Sequence, residues 1–192
     1  MKSVNIVCDA GGVALIFQFG SFAEELVMEF EIREMQPEDY AGVAEIYGQG
    51  MESGTATFQT YVPEYEEWDG AHHPFCRYVA VADGIVAGWA ALTVGIVREP
   101  YKGVAELSIY VRNGFKRHGI GYALIETIKK NAEQHGVWML ESRICRQNVG
   151  SIKLHEKCGF RTVGIREKIA RDKFGNWQDT VEMELRQLTA DS

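Results

Sequence analysis

Cysteine is scarce. Only four occur in 192 residues (Cys8, Cys76, Cys145 and Cys158), and no two form a C-x-x-C pair, so neither a disulfide framework nor a zinc ribbon can be read from them. Cys76 and Cys145 fall inside apolar runs that read as buried strands, and a reducing, cytoplasmic setting is the simplest one. The five histidines show no metal-ligand spacing: His72 and His73 are adjacent, with no third ligand near, so zinc and other metals are set aside. Basic charge is also short, with 20 Lys and Arg against 27 Asp and Glu, giving a formal net charge of −7. That balance argues against a general nucleic-acid binder, and any anionic ligand must be held locally. Nothing in the composition points to disorder, collagen or a membrane span. What is present is 46% hydrophobic content, enough for one globular domain with a sizeable core.

The first 27 residues stand apart. They resemble a secretory signal only weakly, because Lys2 alone is a poor basic region and Asp9-Ala10-Gly11-Gly12 breaks the apolar run. Two readings stay open: translation starts at Met28, with Glu24-Glu25 encoded by a ribosome-binding site, or "VALIFQF" is an extra strand. From Glu29 the pattern is regular. "FEIREM" alternates as a strand, and Pro37 with Glu38 and Asp39 opens a helix to about Tyr47. "TATFQT" reads as a short strand and "EYEEW" as a helical turn. Two apolar strands flank Asp83-Gly84, a hairpin signal. "VAELSIYV" is a further strand. Ile120, Ala123, Leu124, Ile128 and Ala132 recur at helical spacing up to Gly136. "VWMLESRIC" is a strand, "NVGSIKLHEKCGF" a helix ended by Gly159, and "RTVGIREKIA" and "TVEMELRQL" are closing strands. There is no internal repeat or linker, so residues 28–192 are assigned to a single mixed-sheet domain, with 1–27 as an extension.

Between the strand ending near Val111 and the following helix lies "NGFKRHGIG". A basic turn with glycines at a helix entrance leaves backbone N–H groups pointing outward at the positive end of the helix dipole, an arrangement suited to a pyrophosphate. Glycines there let phosphate oxygens approach the backbone. A Walker loop is excluded, because the Lys-Ser/Thr ending is missing. A dinucleotide fingerprint ranks low, because Leu124 occupies the third glycine position and Gly119 lies several residues past the strand. An ordinary basic turn remains open on the loop alone. On the preceding strand, alternation puts Glu106, Ser108 and Tyr110 on one face. A carboxylate in an otherwise apolar strand is costly without a partner or a purpose.

Lys116-Arg117-His118-Gly119-Ile120-Gly121 resembles the Arg/Gln-x-x-Gly-x-Gly/Ala signature of the GNAT superfamily of acyl-CoA-dependent N-acyltransferases, with Lys116 departing from the usual first residue. "TATFQT" with "EEW", "VAGWAAL", "AELSIYV", "NVGSIKLHEKCGF" and "KFGNWQDTVEMEL" occur in the order seen in its phosphinothricin and methionine-sulfoximine N-acetyltransferase group, over about 29–185. The resemblance implies an α/β (α+β) fold, a central mixed, mostly antiparallel sheet flanked by helices. It implies acetyl-CoA as co-substrate, a small-molecule amine as acceptor, a homodimer, and no metal, nucleic-acid or membrane partner.

The same resemblance implies roles. Lys116, Arg117, His118, Gly119, Ile120, Gly121 and Tyr122 would hold the coenzyme pyrophosphate, Ile109, Tyr110 and Val111 would run beside the pantetheine arm, and Asn148 would bind the coenzyme while capping its helix. Glu106 would be the general base, acting through ordered water, with a salt-bridged structural Glu as the alternative. His155 would protonate the departing thiolate as an imidazolium; a partly exposed helix histidine without a role is the open alternative. Phe58, Arg98, Tyr101, Lys102 and Lys173 would line the acceptor site, the lysines holding a carboxylate; for Phe58, as for Trp89, ordinary core is an equal reading. Cys158 reads as core packing, so transfer is expected to be direct, in a ternary complex. A polyamine or protein N-terminus as acceptor, or a non-catalytic acyl-CoA sensor, are the competing functions.

Overall fold

The computed structural model describes residues 5–9, 12–16, 28–94 and 98–187. Its strands form one sheet in the order β1-β2-β3-β4-β5-β6-β7-β9-β8. They are β1 (Asn5–Asp9), β2 (Gly12–Ile16), β3 (Glu31–Glu34), β4 (Tyr78–Ala82), β5 (Ile85–Val94), β6 (Val104–Val111), β7 (Met139–Cys145), β8 (Arg161–Arg171) and β9 (Trp177–Arg186). Every neighbouring pair is antiparallel except β6 with β7. Parallel neighbours need a crossover, and helix α3 (Ile120–Ala132) supplies it. The remaining helices are α1 (Tyr40–Glu52), α2 (Tyr65–Ala71) and α4 (Val149–Lys157). This is the mixed, mostly antiparallel sheet flanked by helices that the sequence led us to expect. Of "VALIFQF", 13–16 belong to β2, which pairs with β3; 17–19 lie outside the described residues, as do 95–97 and Leu188 of the two other apolar runs.

Strand alternation splits the core in two. Val79, Trp89 and Ala91 face α1 and α2 through Val43, Ile46 and Trp68, while Tyr78, Ala80, Ala90 and Leu92 face α3 through Leu124, Ile125 and Ile128. Each fully buried aliphatic side chain in these layers contributes roughly 2 kcal/mol. Punctuation follows the sequence closely. Asp83 (φ 51°) and Gly84 (φ 76°) make the hairpin turn, Gly136 (φ 76°) ends the turn after α3, and Asn148 caps α4 by accepting from the Ser151 N–H at 3.1 Å.

Two local expectations change. "TATFQT" is not a strand: the edges of β3 and β4 are already paired, and Thr55 N–H and Gln59 N–H donate to the hydroxyls of Ser53 and Thr57, closing local turns instead. Helix α1 also runs past Tyr47 to Glu52, after a 3-10 turn at Pro37–Asp39 in which the Asp39 carboxylate accepts from the Gln36 N–H and pairs with Arg33.

Candidate active site

The site originates where β6 and β7 part. Their pairing covers only Val104 with Met139, Ala105 with Leu140 and Glu106 with Glu141, yet β6 continues to Val111 and β7 to Cys145. Arg112 N–H donates to Ala87 O on β5, so by alternation the N–H and C=O groups of Leu107, Ile109 and Val111 turn to the opposite side, into the widening gap. A cavity of about 670 Å³ opens there, walled by both strands, by α2 and the loop before it, and by β8.

Of the residues given site roles above, Phe58, Glu106, Ile109, Tyr110, Asn148 and His155 line this cavity, as does Trp89. Tyr110 does so differently from expectation. Its backbone turns toward β5, and its ring stacks on Trp89 and meets Tyr47 edge-on, while its hydroxyl donates to Ala56 O at 3.3 Å and ties down the loop that carries Phe58. Burial raises its phenol, so it stays protonated.

Glu106 keeps a quarter of its side chain exposed at the cavity wall. Burial raises its carboxyl above the usual range; the Arg143 guanidinium, which donates to Oε2, opposes this, and the carboxylates of Glu141 and Glu182 reinforce it. Glu106 is therefore both salt-bridged and a carboxylate of raised basicity facing the cavity.

His155 is buried, not partly exposed. Its Nδ1 lies 2.8 Å from Ser151 O one turn back, which places the proton on Nδ1 and leaves Nε2 as a lone pair, buried and without a hydrogen-bond partner among the described residues. Burial lowers its pKa, so the imidazole is neutral near pH 7. An imidazolium donor is thus not what this geometry provides. Cys158 is buried with its thiol pushed up to about 11, as befits core packing.

The basic turn sits at the far end of β6. Arg117 (φ 72°) and Gly119 (φ 88°) are left-handed, a conformation that gathers successive N–H groups on one side, and the first bond into α3 runs from Ala123 N–H to Gly119 O. Among the described residues the amides of Lys116 through Tyr122 give no hydrogen bond to a backbone oxygen, and Lys116, Arg117 and His118 are exposed. Gly121 has another reason to be glycine: a Cβ there would come within 2.8 Å of Leu154 Cδ2 on α4. Tyr122 packs against the α3 core layer with Lys157 Nζ over its ring at 4.7 Å.

The expected acceptor cations are elsewhere. Arg98, Tyr101 and Lys102 are exposed around a 3-10 turn, where Lys102 pairs with Glu99 at 2.8 Å, and Lys173 lies over Phe174 in the β8–β9 turn; none lines the cavity. The cavity's cations are instead Arg143 and Arg166, with Tyr61, Glu67 and a stacked Trp68–His72 pair on the opposite wall. Sequence reasoning missed these because their signal is one of register. His72 bridges to Thr93, and Thr93 pairs with Glu106, a relation that no local pattern contains.

The Acetyltransferase (GNAT) family model matches residues 33–160. The chain is 31% identical to the phosphinothricin N-acetyltransferase of Streptomyces viridochromogenes, over 78% of its own length and 83% of that protein's. It is 28% identical to an L-methionine sulfoximine/L-methionine sulfone acetyltransferase of Pseudomonas aeruginosa, over 82% and 95%. Among solved structures, a GNAT superfamily phosphinothricin acetyltransferase from Sinorhizobium meliloti, in complex with acetyl-CoA, aligns with a TM-score of 0.73 at 25% identity, covering 81% of this chain and 86% of that one. Since the matched span holds the strand of Glu106, the basic turn and the helix of His155, the protein belongs to the GNAT family of acetyltransferases.

Proposed function

We propose that the protein moves acetyl from acetyl-CoA to the α-amine of a small amino-acid-like acceptor, of the kind represented by phosphinothricin or methionine sulfoximine, by direct attack in a ternary complex. The observation that carries this reading is Glu106, a carboxylate of raised basicity at the cavity wall, one rung from where β6 and β7 separate. Acetyl-CoA, when bound, supplies the activated thioester. The amides of Lys116 through Tyr122 are suited to its pyrophosphate, supported by the dipole of α3. The outward N–H and C=O groups of Ile109 and Val111 are suited to the amides of its arm, as one strand pairs with another. Glu106 accepts the ammonium proton of the acceptor, directly or through water. With His155 neutral and its Nε2 buried and without a proton, the proton for the departing thiolate comes from solvent water instead of an imidazolium.

Glu67 and Glu106 on the cavity wall also favour a second reading, an acceptor that is a polyamine or a peptide N-terminus. Calorimetry of acetyl-CoA binding followed by thiol release with α-amino acids, phosphinothricin, polyamines and peptides separates the cases. Release with an α-amino acid or its analogue is expected. Release only with polyamines or peptides would give the second reading, and binding without release for any amine would leave a sensor.

A further inference from the structure

Arg143 occupies an unusual place for a cation. Its guanidinium donates to Glu106 Oε2 and lies 4.0 Å from Glu141 Oε1, while its register partner on β9 is Glu182, itself held by Thr180 at 2.9 Å and by Arg166 at 3.6 Å. Nearly half of its side chain is exposed, and it lines the cavity beside the base. A guanidinium on a general base works against it, stabilising the ionised carboxylate and occupying an oxygen that should receive the proton. The contact therefore impedes the chemistry unless something removes it.

The acceptor itself can do so. Arg143 and Arg166 are the only cations among the described residues of the cavity wall, so an acceptor carboxylate has no other partner of opposite charge there. A planar guanidinium exchanges readily between two carboxylates, because each offers the same two-oxygen geometry. We propose that Arg143 is the carboxylate anchor of the acceptor site, and that a bound amino acid draws its guanidinium off Glu106 and so frees the base. Arg143 is then a specificity determinant: an amine that brings no carboxylate leaves Arg143 on Glu106 and is transferred poorly. This inference rests on the proposed acetyl transfer with Glu106 as base. The charged and titratable groups facing Glu106 are Arg143 and Glu141 from β7, Glu182 from β9 and Tyr110 on its own strand, and of these only Arg143 changes partner in the exchange.

The test compares an accepted amino acid with its carboxamide, which has the same amine without the negative charge, on the wild type, Arg143→Gln and Arg143→Lys. In the wild type the acid limb of kcat is expected at higher pH for the amino acid than for the carboxamide, because only the amino acid takes Arg143 from Glu106. In Arg143→Gln the two limbs should coincide at the higher pH; KM for the amino acid should rise about tenfold, as loss of one charge-assisted pair would give, and KM for the carboxamide should change by less than about twofold. Arg143→Lys keeps the charge and should retain a reduced preference for the amino acid. Coincident limbs in the wild type, or an equal rise of both KM values in Arg143→Gln, would overturn the inference while leaving Glu106 as base. Full turnover of both substrates by Glu106→Gln would overturn the base reading itself.

Discussion

Glu106 on β6 and Glu141 on β7 are register partners in the last rung before the two strands part, so two carboxylates stand side by side there, Glu106 lining the cavity. Their mutual repulsion, added to burial, disfavours ionisation of Glu106. Burial is the larger cause, and the parallel pairing of β6 with β7 adds to it at the group that faces the gap.

The pH profile carries the sign of this effect. Glu106 accepts a proton only when ionised, and its pKa is raised, so activity falls with acid at a higher pH than an ordinary carboxylate of about 4.3 would allow. Glu141→Gln removes a neighbouring negative charge and shifts the acid limb of kcat/KM toward lower pH. A limb that stays in place would separate the two carboxylates energetically.

Buried histidines give stability its own pH dependence. His155 and His72 have lowered pKa values through burial, so the unfolded chain binds protons that the folded chain refuses. Their contribution is complete above the unfolded value of about 6.5 and declines as pH falls below it, by at most about 1.4 kcal/mol per pH unit for each ring. Urea denaturation between neutral and mildly acid pH should show the decline, and His155→Gln should flatten it. An unchanged slope would mean that His155 is already protonated in the native state.

Gly103 sets the approach of β6 to β7. A Cβ there would lie 2.0 Å from Trp138 Cε3, and the Gly103 carbonyl accepts from the Trp138 N–H at 2.9 Å, so neither partner can retreat easily. Gly103→Ala should cost about 3 kcal/mol, at the upper end for an overpacked contact, and lower the thermal midpoint. Shortening the obstacle in the double variant Gly103→Ala/Trp138→Leu should recover part of the loss. A stable, fully active Gly103→Ala would show that the ring moves aside freely.

Much of this architecture was legible in the sequence because it is local. Asp83-Gly84, Gly136, Asn148 and Gly159 each act within a few residues, and the 3.6-residue spacing from Ile120 to Ala132 marks the helix whose following turn Gly136 ends. Strand alternation likewise placed Glu106 and Tyr110 on one face. "TATFQT" was misread because β-branched composition favours a strand only where an edge is available to pair. The cations expected at the acceptor site fall outside the cavity for a related reason. Lys102 lies near Glu106 in sequence, but the turn at Glu99–Tyr101 carries it into solvent, whereas Arg143 reaches Glu106 through a parallel register that links residues 37 apart.

Thiol release by the wild type and by Glu106→Gln, at one pH and with one α-amino acid acceptor, tests the central claim most directly. The two side chains are nearly isosteric, so packing is preserved while proton acceptance is lost, and turnover should fall by roughly a hundredfold or more with acetyl-CoA binding unchanged. Turnover by Glu106→Gln close to that of the wild type would contradict the account.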